Sequence, residues 1–415
     1  MTHMKKVKEF FSHISLDCMA ACLYFICMPY TIVTTPFGSL LKVITFPVAG
    51  ILLVKLFLGK TKPLQFNSVH LVYTIYIIIS FCGLFMLRID ESVTFITDMM
   101  LSYAVIMLVT MRSYNKYEKE LIDSTWIVVG IICILLCLTS NNMINEFENR
   151  TVIYIFGFTE DPNQFCAYYI MPTMVAMKRI VQRRKTTPLY IIMIVLTLYA
   201  VLKTGSRGGL LGILIGMVCF ILFGTKSIKA KLGAMLVGLL TGVFVVTVVF
   251  PLLPADIQER FTVENVAANG GSGRTEIWKY LINYTGESPG RMLHGSGMLS
   301  TYPIMEANKS SGGAFELGRM AHNQFVQVFT DQGLIGLFGF LLLIFVCVFR
   351  NIKKDPYIMS AFVSVMSFSM SLTMYVFKPY LNIIMMCAMD FDDEDGEDNE
   401  VSDDKKAIQE IKTTI

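Results

Sequence analysis

The sequence predicts an all-α polytopic membrane protein of about twelve transmembrane helices, on three observations. The first is composition: of 415 residues, 54% are hydrophobic and only 16% charged, with a mean hydropathy of +0.57. A soluble chain needs a polar shell that this composition cannot supply, whereas a surface facing lipid does not. The second is that apolar runs long enough to cross a bilayer recur along the chain. Helices and closed barrels are the structures that cross it with every backbone polar group satisfied. The third is that the short links between runs alternate between basic and nearly free of Lys and Arg, as positive-inside loops do. The net charge of +3 gives no reason to expect nucleic acid as a partner.

The runs fall at 15–33, 39–58, 69–87, 93–111, 122–140, 163–178, 188–203, 208–224, 232–251, 325–349, 357–375 and 379–390. The opening "MTHMKKVKEFF" is basic and no small-residue cleavage site follows, so the first helix reads as uncleaved. The basic links hold Lys5/Lys6/Lys8, Lys60/Lys62, Arg112/Lys116/Lys119, "KRIVQRRK" from Lys178, Lys226/Lys229/Lys231 and Arg350/Lys353/Lys354. All fall on one side, which puts the N-terminus in the cytoplasm. The last run is short and follows Lys378 and Pro379, so the count is twelve or eleven.

Between the ninth and tenth runs lies a polar stretch, 252–321, on the outer side. Its "NGGSGR" and "SSGG" pieces predict mobility. The transmembrane domain then spans 1–390. The acidic tail at 391–415 reads as disordered and cytoplasmic. The ten cysteines lie in or beside apolar runs, with no partner at zinc spacing, and read as small buried hydrophobes.

Polar residues gather on the outer side. In "LKTGSRGGLLG", Arg207 stands at the start of the eighth span, after Gly205 and Ser206. Ser206 suits a helix cap, and the glycines allow another group close to the backbone. A helix N-terminus beside an arginine attracts an anion, and arginine grips phosphate with two prongs. The plainer alternative is an arginine snorkelling at the interface. Asp161-Pro162, in "FGFTEDPNQF", looks like a cap followed by a first-turn proline; Glu160 and Asn163 beside it are alternatives for lining a site.

The same outer link, Thr139–Gln164, also carries Arg150. The long loop carries Arg260, Arg274, Arg291, Arg319, His294 and His322. "GRTEIWKYL" reads as a short amphipathic helix whose Trp278 either packs or stacks on a sugar ring, with packing preferred. His322 stands at the outer entrance of the tenth span. It is either a helix-end residue or a base able to take a proton near neutral pH. Lys42 and Lys55 read as the only charges well inside a helix, and both can snorkel.

Taken together, these pieces resemble the O-antigen ligase and Wzy-type polymerase superfamily of bacterial surface-polysaccharide enzymes. "TGSRGGLLGILIG" is similar to the family's Ser-Arg-Gly segment opening a transmembrane helix, and "GRTEIW" to its Arg-x-x-x-Trp segment. "LHGSG" sits where the family often has a Gly-x-Gly turn. His322-Asn323, nine residues, then "GLIG" fits the ligase pattern H-[NSQ]-x9-G-x-x-[GTY]. "DPNQF" is also similar to a family segment. The resemblance covers about 157–340, in the same order and on the same side of the membrane.

The resemblance implies a metal-independent, inverting glycosyltransferase of the membrane-embedded GT-C type in a bacterial plasma membrane. Its donor is a glycan on undecaprenyl diphosphate at the outer face, and its acceptor a glycan or a lipid-anchored molecule. A flippase and a chain-length regulator are implied partners, and no cofactor is implied. His322 takes the role of base or acceptor-orienting residue, and Arg207 that of diphosphate neutraliser, with Arg274 the second candidate. Arg150, Arg291, Arg319, Asn323, Asn163 and Trp278 complete the candidate substrate-binding set.

Many lipid-linked sugar transferases hold a cation on a DxD-like pair in the first outer loop. Here that loop is "TTPFG", without an acid. The rival reading is a transporter or flippase for an anionic or lipid-linked substrate. It expects charges at mid-membrane and internal repeats, neither of which stands out.

Overall fold

The computed structural model describes residues 10–58, 64–86, 90–140, 142–145, 148–182, 186–225, 227–264, 274–310 and 320–392, with backbone alone at 90–91, 142–145, 148–150 and 309–310. Most of both glycine-rich pieces, Arg319, the side chain of Arg150 and the acidic tail lie outside this description.

A helix occupies each of the twelve apolar runs. In chain order these are α1 (Leu16–Cys27), α2 (Leu40–Phe57), α3 (Ser68–Cys82), α4 (Asp90–Thr110) and α5 (Lys116–Thr139). Next come α6 (Pro162–Cys166), which runs through a 3-10 turn into α7 (Ile170–Val181), then α8 (Thr187–Lys203), α9 (Arg207–Gly224) and α10 (Ile228–Phe244). The outer loop adds α11 (Ala255–Arg260), α12 (Arg274–Gly286), α13 (Pro289–His294) and α14 (Thr301–Ser310). The chain then re-enters the bundle as α15 (Gln324–Lys354), α16 (Pro356–Ser369) and α17 (Lys378–Ala388).

Among the described residues, seven helical segments are long and apolar enough to cross a membrane, and Leu16–Tyr30, Thr187–Lys203 and Pro356–Ser369 are shorter apolar helices. Four two-stranded ladders are the strand content of the described residues, each in a link. Side-chain caps set several helix starts: Asn67 and Asn115 both form reciprocal capping boxes, and Ser39 accepts from Lys42 N. Eight of the ten cysteines are buried and all are free, but Cys82 is exposed on the outside of α3.

The two ends of the bundle differ. At one end the residues of the basic links meet carboxylates. Arg112 binds Asp17 and Ser15, Lys119 binds Asp355 at 2.7 Å, and Lys178 binds Asp123 at 2.7 Å. Arg350 binds Asp390 at 2.5 Å, and the strand Ser113–Tyr114 pairs in parallel with Asp390–Phe391, which ties the segment after α17 to the link between α4 and α5. Residues of the other set of links meet at the opposite end.

One expectation about charge within helices needs correction: Lys42 and Lys55 are not the only ones. Asp98 and the fully buried Asp331 also lie inside helices. Lys42 pairs with Asp98 at 2.5 Å and Lys55 with Asp17 at 2.6 Å, which offsets the cost of an isolated charge. Asp331 is held by neutral donors instead.

Asp331 organises the entry of α15. Its carboxylate accepts from Leu299 N (3.2 Å), Ser300 N (3.0 Å), Ser300 Oγ (2.9 Å) and Gln327 Nε2 (2.9 Å). Two residues on, α15 breaks at Gly333, whose φ is +63°. The "GSG" turn docks at this break, with Ser296 N donating to Thr330 O and Gly297 N to Asp331 O, both at 2.9 Å. Gly295 has φ +77°, and a Cβ there would fall on the Asp331 carbonyl; one at Gly333 would meet Gly295 N at 2.5 Å. Two backbones approach where neither residue can carry a side chain. The turn thereby ties the outer loop to the bundle.

Candidate active site

"LKTGSRGGLLG" is a helix-to-helix corner, and each residue type in it has a cause. Gly205, at φ +67°, follows the C-cap of α8 and donates to Leu202 O at 2.8 Å, which closes that helix in the left-handed conformation glycine tolerates. Ser206 then caps α9, its Oγ accepting from Gly209 N at 3.2 Å. The two cations of the corner differ in employment. Lys203 donates to Cys137 O (2.9 Å) and Ser140 O (3.0 Å), satisfying carbonyls at the end of α5. Arg207, half-buried at the first position of α9, has no hydrogen-bond or ion-pair partner among the described residues.

The glycines that follow Arg207 let α16 approach. A Cβ on Gly208 would lie 2.6 Å from Ser371 Oγ. This contact sets the start of α9 against the turn that ends α16, and two further elements join the same turn. Arg274, the first residue of α12, donates from Nη1 to Ser371 O at 3.0 Å. Asn323 donates from Nδ2 to Met370 O at 3.2 Å, while its Oδ1 caps α15 by accepting from Phe325 N and Val326 N. The turn at 370–371 therefore gathers the Ser-Arg-Gly corner, the Arg-x-x-x-Trp segment and the His-Asn pair.

His322 precedes that cap with φ +50°, in the left-handed region that a side chain enters at a cost of about 1–2 kcal/mol. Its flanks are fixed. Trp278 Nε1 donates to Ala321 O at 2.8 Å, and Ala321 N donates to Gln327 Oε1 at 2.9 Å. Burial and the nearby Arg274 guanidinium lower the His322 pKa, while the Asp161 carboxylate opposes them. The imidazole is therefore neutral at pH 7 and free to accept a proton. Asp161 caps α6, accepting from Asn163 N (2.8 Å) and Gln164 N (3.0 Å), as the sequence suggested. Beside it Glu160 is buried, and desolvation pushes its pKa up to about 7.

Of the candidates, Arg207, Arg274, His322 and Asn323 come together around this turn. Trp278 packs in a small loop core with Ile277, Leu281 and Val326, and supports His322 through Ala321. Arg291 is held within the loop, 3.4 Å from Glu287 and with its guanidinium 4.1 Å from the Tyr284 ring centre. Asn163 lies in the first turn of α6. Arg150 belongs to a strand with its side chain outside the description, and Arg319 lies wholly outside it. Among the described residues no three of His, Cys, Asp or Glu gather in a way that could hold a metal ion. No sequence signal marks the turn at 370–371, because its contribution is backbone carbonyls that any residue carries.

The corner, the His-Asn pair and the broken entry of α15 fall inside a recognised domain. A family model described as O-antigen ligase matches residues 192–341. Residues 192–341 thus resemble an O-antigen ligase domain. It is also 26% identical, over 302 residues, to a protein of Rickettsia conorii (strain ATCC VR-613 / Malish 7) described as "Putative polysaccharide ligase", the match covering 68% of this chain and 67% of the relative. The family and the apolar helices make it a multi-pass membrane protein of O-antigen ligase type.

Proposed function

We propose that this protein belongs to the O-antigen ligase and polymerase superfamily and is a metal-independent, inverting glycosyltransferase. It transfers or polymerises undecaprenyl-diphosphate-linked oligosaccharide at the outer face of a bacterial plasma membrane. The observation that carries the reading is Arg207: a half-buried guanidinium at a helix start, without a protein partner among the described residues, on the turn that also holds Arg274 and Asn323. An arginine kept unpaired at that cost is suited to an anion brought by substrate.

In the proposed reaction the acceptor hydroxyl oxygen attacks the anomeric carbon of the donor. The bond from that carbon to the diphosphate oxygen breaks, and its electron pair leaves on the lipid diphosphate. The hydroxyl proton passes to neutral His322. Arg207, with Arg274 beside it, balances the charge gathering on the leaving diphosphate. All twelve apolar helices cross the membrane in this reading, both termini are cytoplasmic, and a flippase supplies the donor.

His322→Ala and Arg207→Ala are each expected to abolish polymer or ligated glycan while the protein remains in the membrane at normal level. Surface glycan and undecaprenyl-linked intermediates in the mutants provide the test, and normal long-chain glycan in both would sink the assignment. A deletion strain separates the two activities. Single repeat units on the acceptor indicate a missing polymerase; lipid-linked long chains indicate a missing ligase.

A further inference from the structure

Next to the His322 segment, and outside the cluster of arginines, lies a cavity of about 260 Å³. Glu160, Gln164, Thr373 and Lys378 line it together with the rings of Tyr168 and Phe377. Its wall includes Met320, two residues before His322, and Thr373, two residues after the Ser371 that Arg274 grips. Three features say what would fill it.

The first is unmet hydrogen-bonding capacity. Glu160 is 8% exposed, and the only hydrogen bond to its carboxylate among the described residues is the Asp161 N–H on Oε1, at 3.2 Å. The Thr373 hydroxyl is buried with no partner among the described residues. Buried polar groups left without partners cost stability, so they are rarely kept without a use. Desolvation raises the Glu160 pKa to about 7, and donors from a ligand would relieve that penalty.

The second is the mixture of groups. A carboxylate, an amide, a hydroxyl and an ammonium between aromatic walls match the alternating hydroxyls and C–H faces of a sugar ring. Lys378, which donates to Ser102 Oγ at 2.9 Å, supplies the cationic side. The third is size: the cavity lies just below the roughly 300–1,000 Å³ of sites for drug-sized ligands, which suits one ring and not a chain of them.

We propose that this cavity is a sugar subsite for the acceptor, in which Glu160 accepts hydrogen bonds from the hydroxyls of the acceptor's terminal ring and sets it beside His322. The inference rests on the glycosyltransferase reading and adds the side from which the acceptor approaches. The donor's diphosphate is drawn instead to the guanidinium groups of Arg207 and Arg274, away from the Asp161 carboxylate beside this cavity. His322 feels both Arg274 and Asp161, as a residue between the two compartments would.

The test uses the full-length protein in lipid nanodiscs. The probe is the repeat-unit oligosaccharide released by mild acid from the host's own surface glycan, and its binding is read by saturation-transfer NMR. Transfer kinetics use lipid-linked donor extracted from the host's membranes. Glu160→Gln keeps shape and removes the charge; Gln164→Ala alters an exposed residue of the same wall that folding tolerates. The expected result is glycan binding weakened about tenfold or more in Glu160→Gln. Acceptor KM should rise in parallel and donor KM stay within twofold, with a smaller change of the same kind in Gln164→Ala. Unchanged glycan affinity in both variants, or a rise in donor KM alone, overturns the subsite while wild-type transfer stands. Absence of transfer by the wild-type protein overturns the glycosyltransferase reading itself.

Discussion

At the scale of single residues, the site separates polar groups that the fold consumes from those it leaves available. Lys203 and Arg207 stand four residues apart in one motif, yet Lys203 closes carbonyls at the end of α5 and Arg207 binds nothing among the described residues. His322 belongs to the second kind, and its protonation is set from two directions. The Arg274 charge disfavours the imidazolium and the Asp161 charge favours it. Two substitutions should therefore move the acidic limb of kcat/KM in opposite senses. Arg274→Gln removes the repelling cation and shifts the His322 limb to higher pH. Asp161→Asn, which still caps α6, removes the attracting anion and shifts it lower. Glu160 contributes a separate limb near pH 7, because its raised pKa leaves the carboxyl protonated below that value. The His322 limb is thus best read in the Glu160→Gln background. Shifts of equal sign in the two variants would refute His322 as the titrating base.

At the scale of elements, the glycines of α9 are the seam of the bundle. Gly208, Gly212 and Gly216 recur every fourth residue and face α16, where Ser364 Oγ donates to Gly212 O at 2.8 Å. Small residues at that spacing let two helices approach until dispersion and a polar contact hold them. This seam carries Arg207 to the turn at 370–371, so its packing should matter to the site as well as to stability. A Cβ at Gly216 would lie 2.7 Å from Ser364 Cβ, whereas one at Gly238 of α10 meets nothing within 4 Å. Gly216→Ala is expected to destabilise by about 1–3 kcal/mol through overpacking. Gly238→Ala should be neutral or stabilising by up to about 1 kcal/mol through helix propensity. Thermal unfolding in detergent measures both, and equal melting temperatures for the two variants would refute the seam.

The same elements mark how far the sequence could be read. Helix positions followed from apolar runs, and the corner followed from Gly205, Ser206 and Arg207, because local rules govern both. The Asp331 hub did not follow. Its partners Leu299 and Ser300 lie some thirty residues away, joined only when the "GSG" turn meets the break at Gly333. The pairing of Lys42 with Asp98 was hidden for the same reason. Lys42 alone reads as a lysine able to snorkel, and the ion pair is a fact of packing between α2 and α4. Glu160 was legible only as an alternative site residue, because the Asp161 cap explains the segment and burial of its neighbour is a fact of packing.

At the scale of the whole molecule, the two ends of the bundle are chemically unlike, and this difference makes the orientation testable. The end holding Arg112, Lys119, Lys178 and Arg350 is rich in cations, and several of them are neutralised by Asp17, Asp355, Asp123 and Asp390. Pairing inside the fold does not erase the topological signal, since Lys and Arg bias insertion before tertiary structure forms. The opposite end carries the site, where the lipid-linked donor is proposed to arrive. Phe156, 76% exposed in the hairpin before α6, and Lys353, exposed at the end of α15, report the two ends. With the exposed Cys82 first replaced by serine, Phe156→Cys should react with a membrane-impermeant maleimide in intact spheroplasts. Lys353→Cys should react only after permeabilisation. The reverse pattern would place Arg207 and His322 in the cytoplasm, where cytoplasmic sugar donors and not an outward-facing glycan would meet them, and the proposed reaction would fail with the orientation.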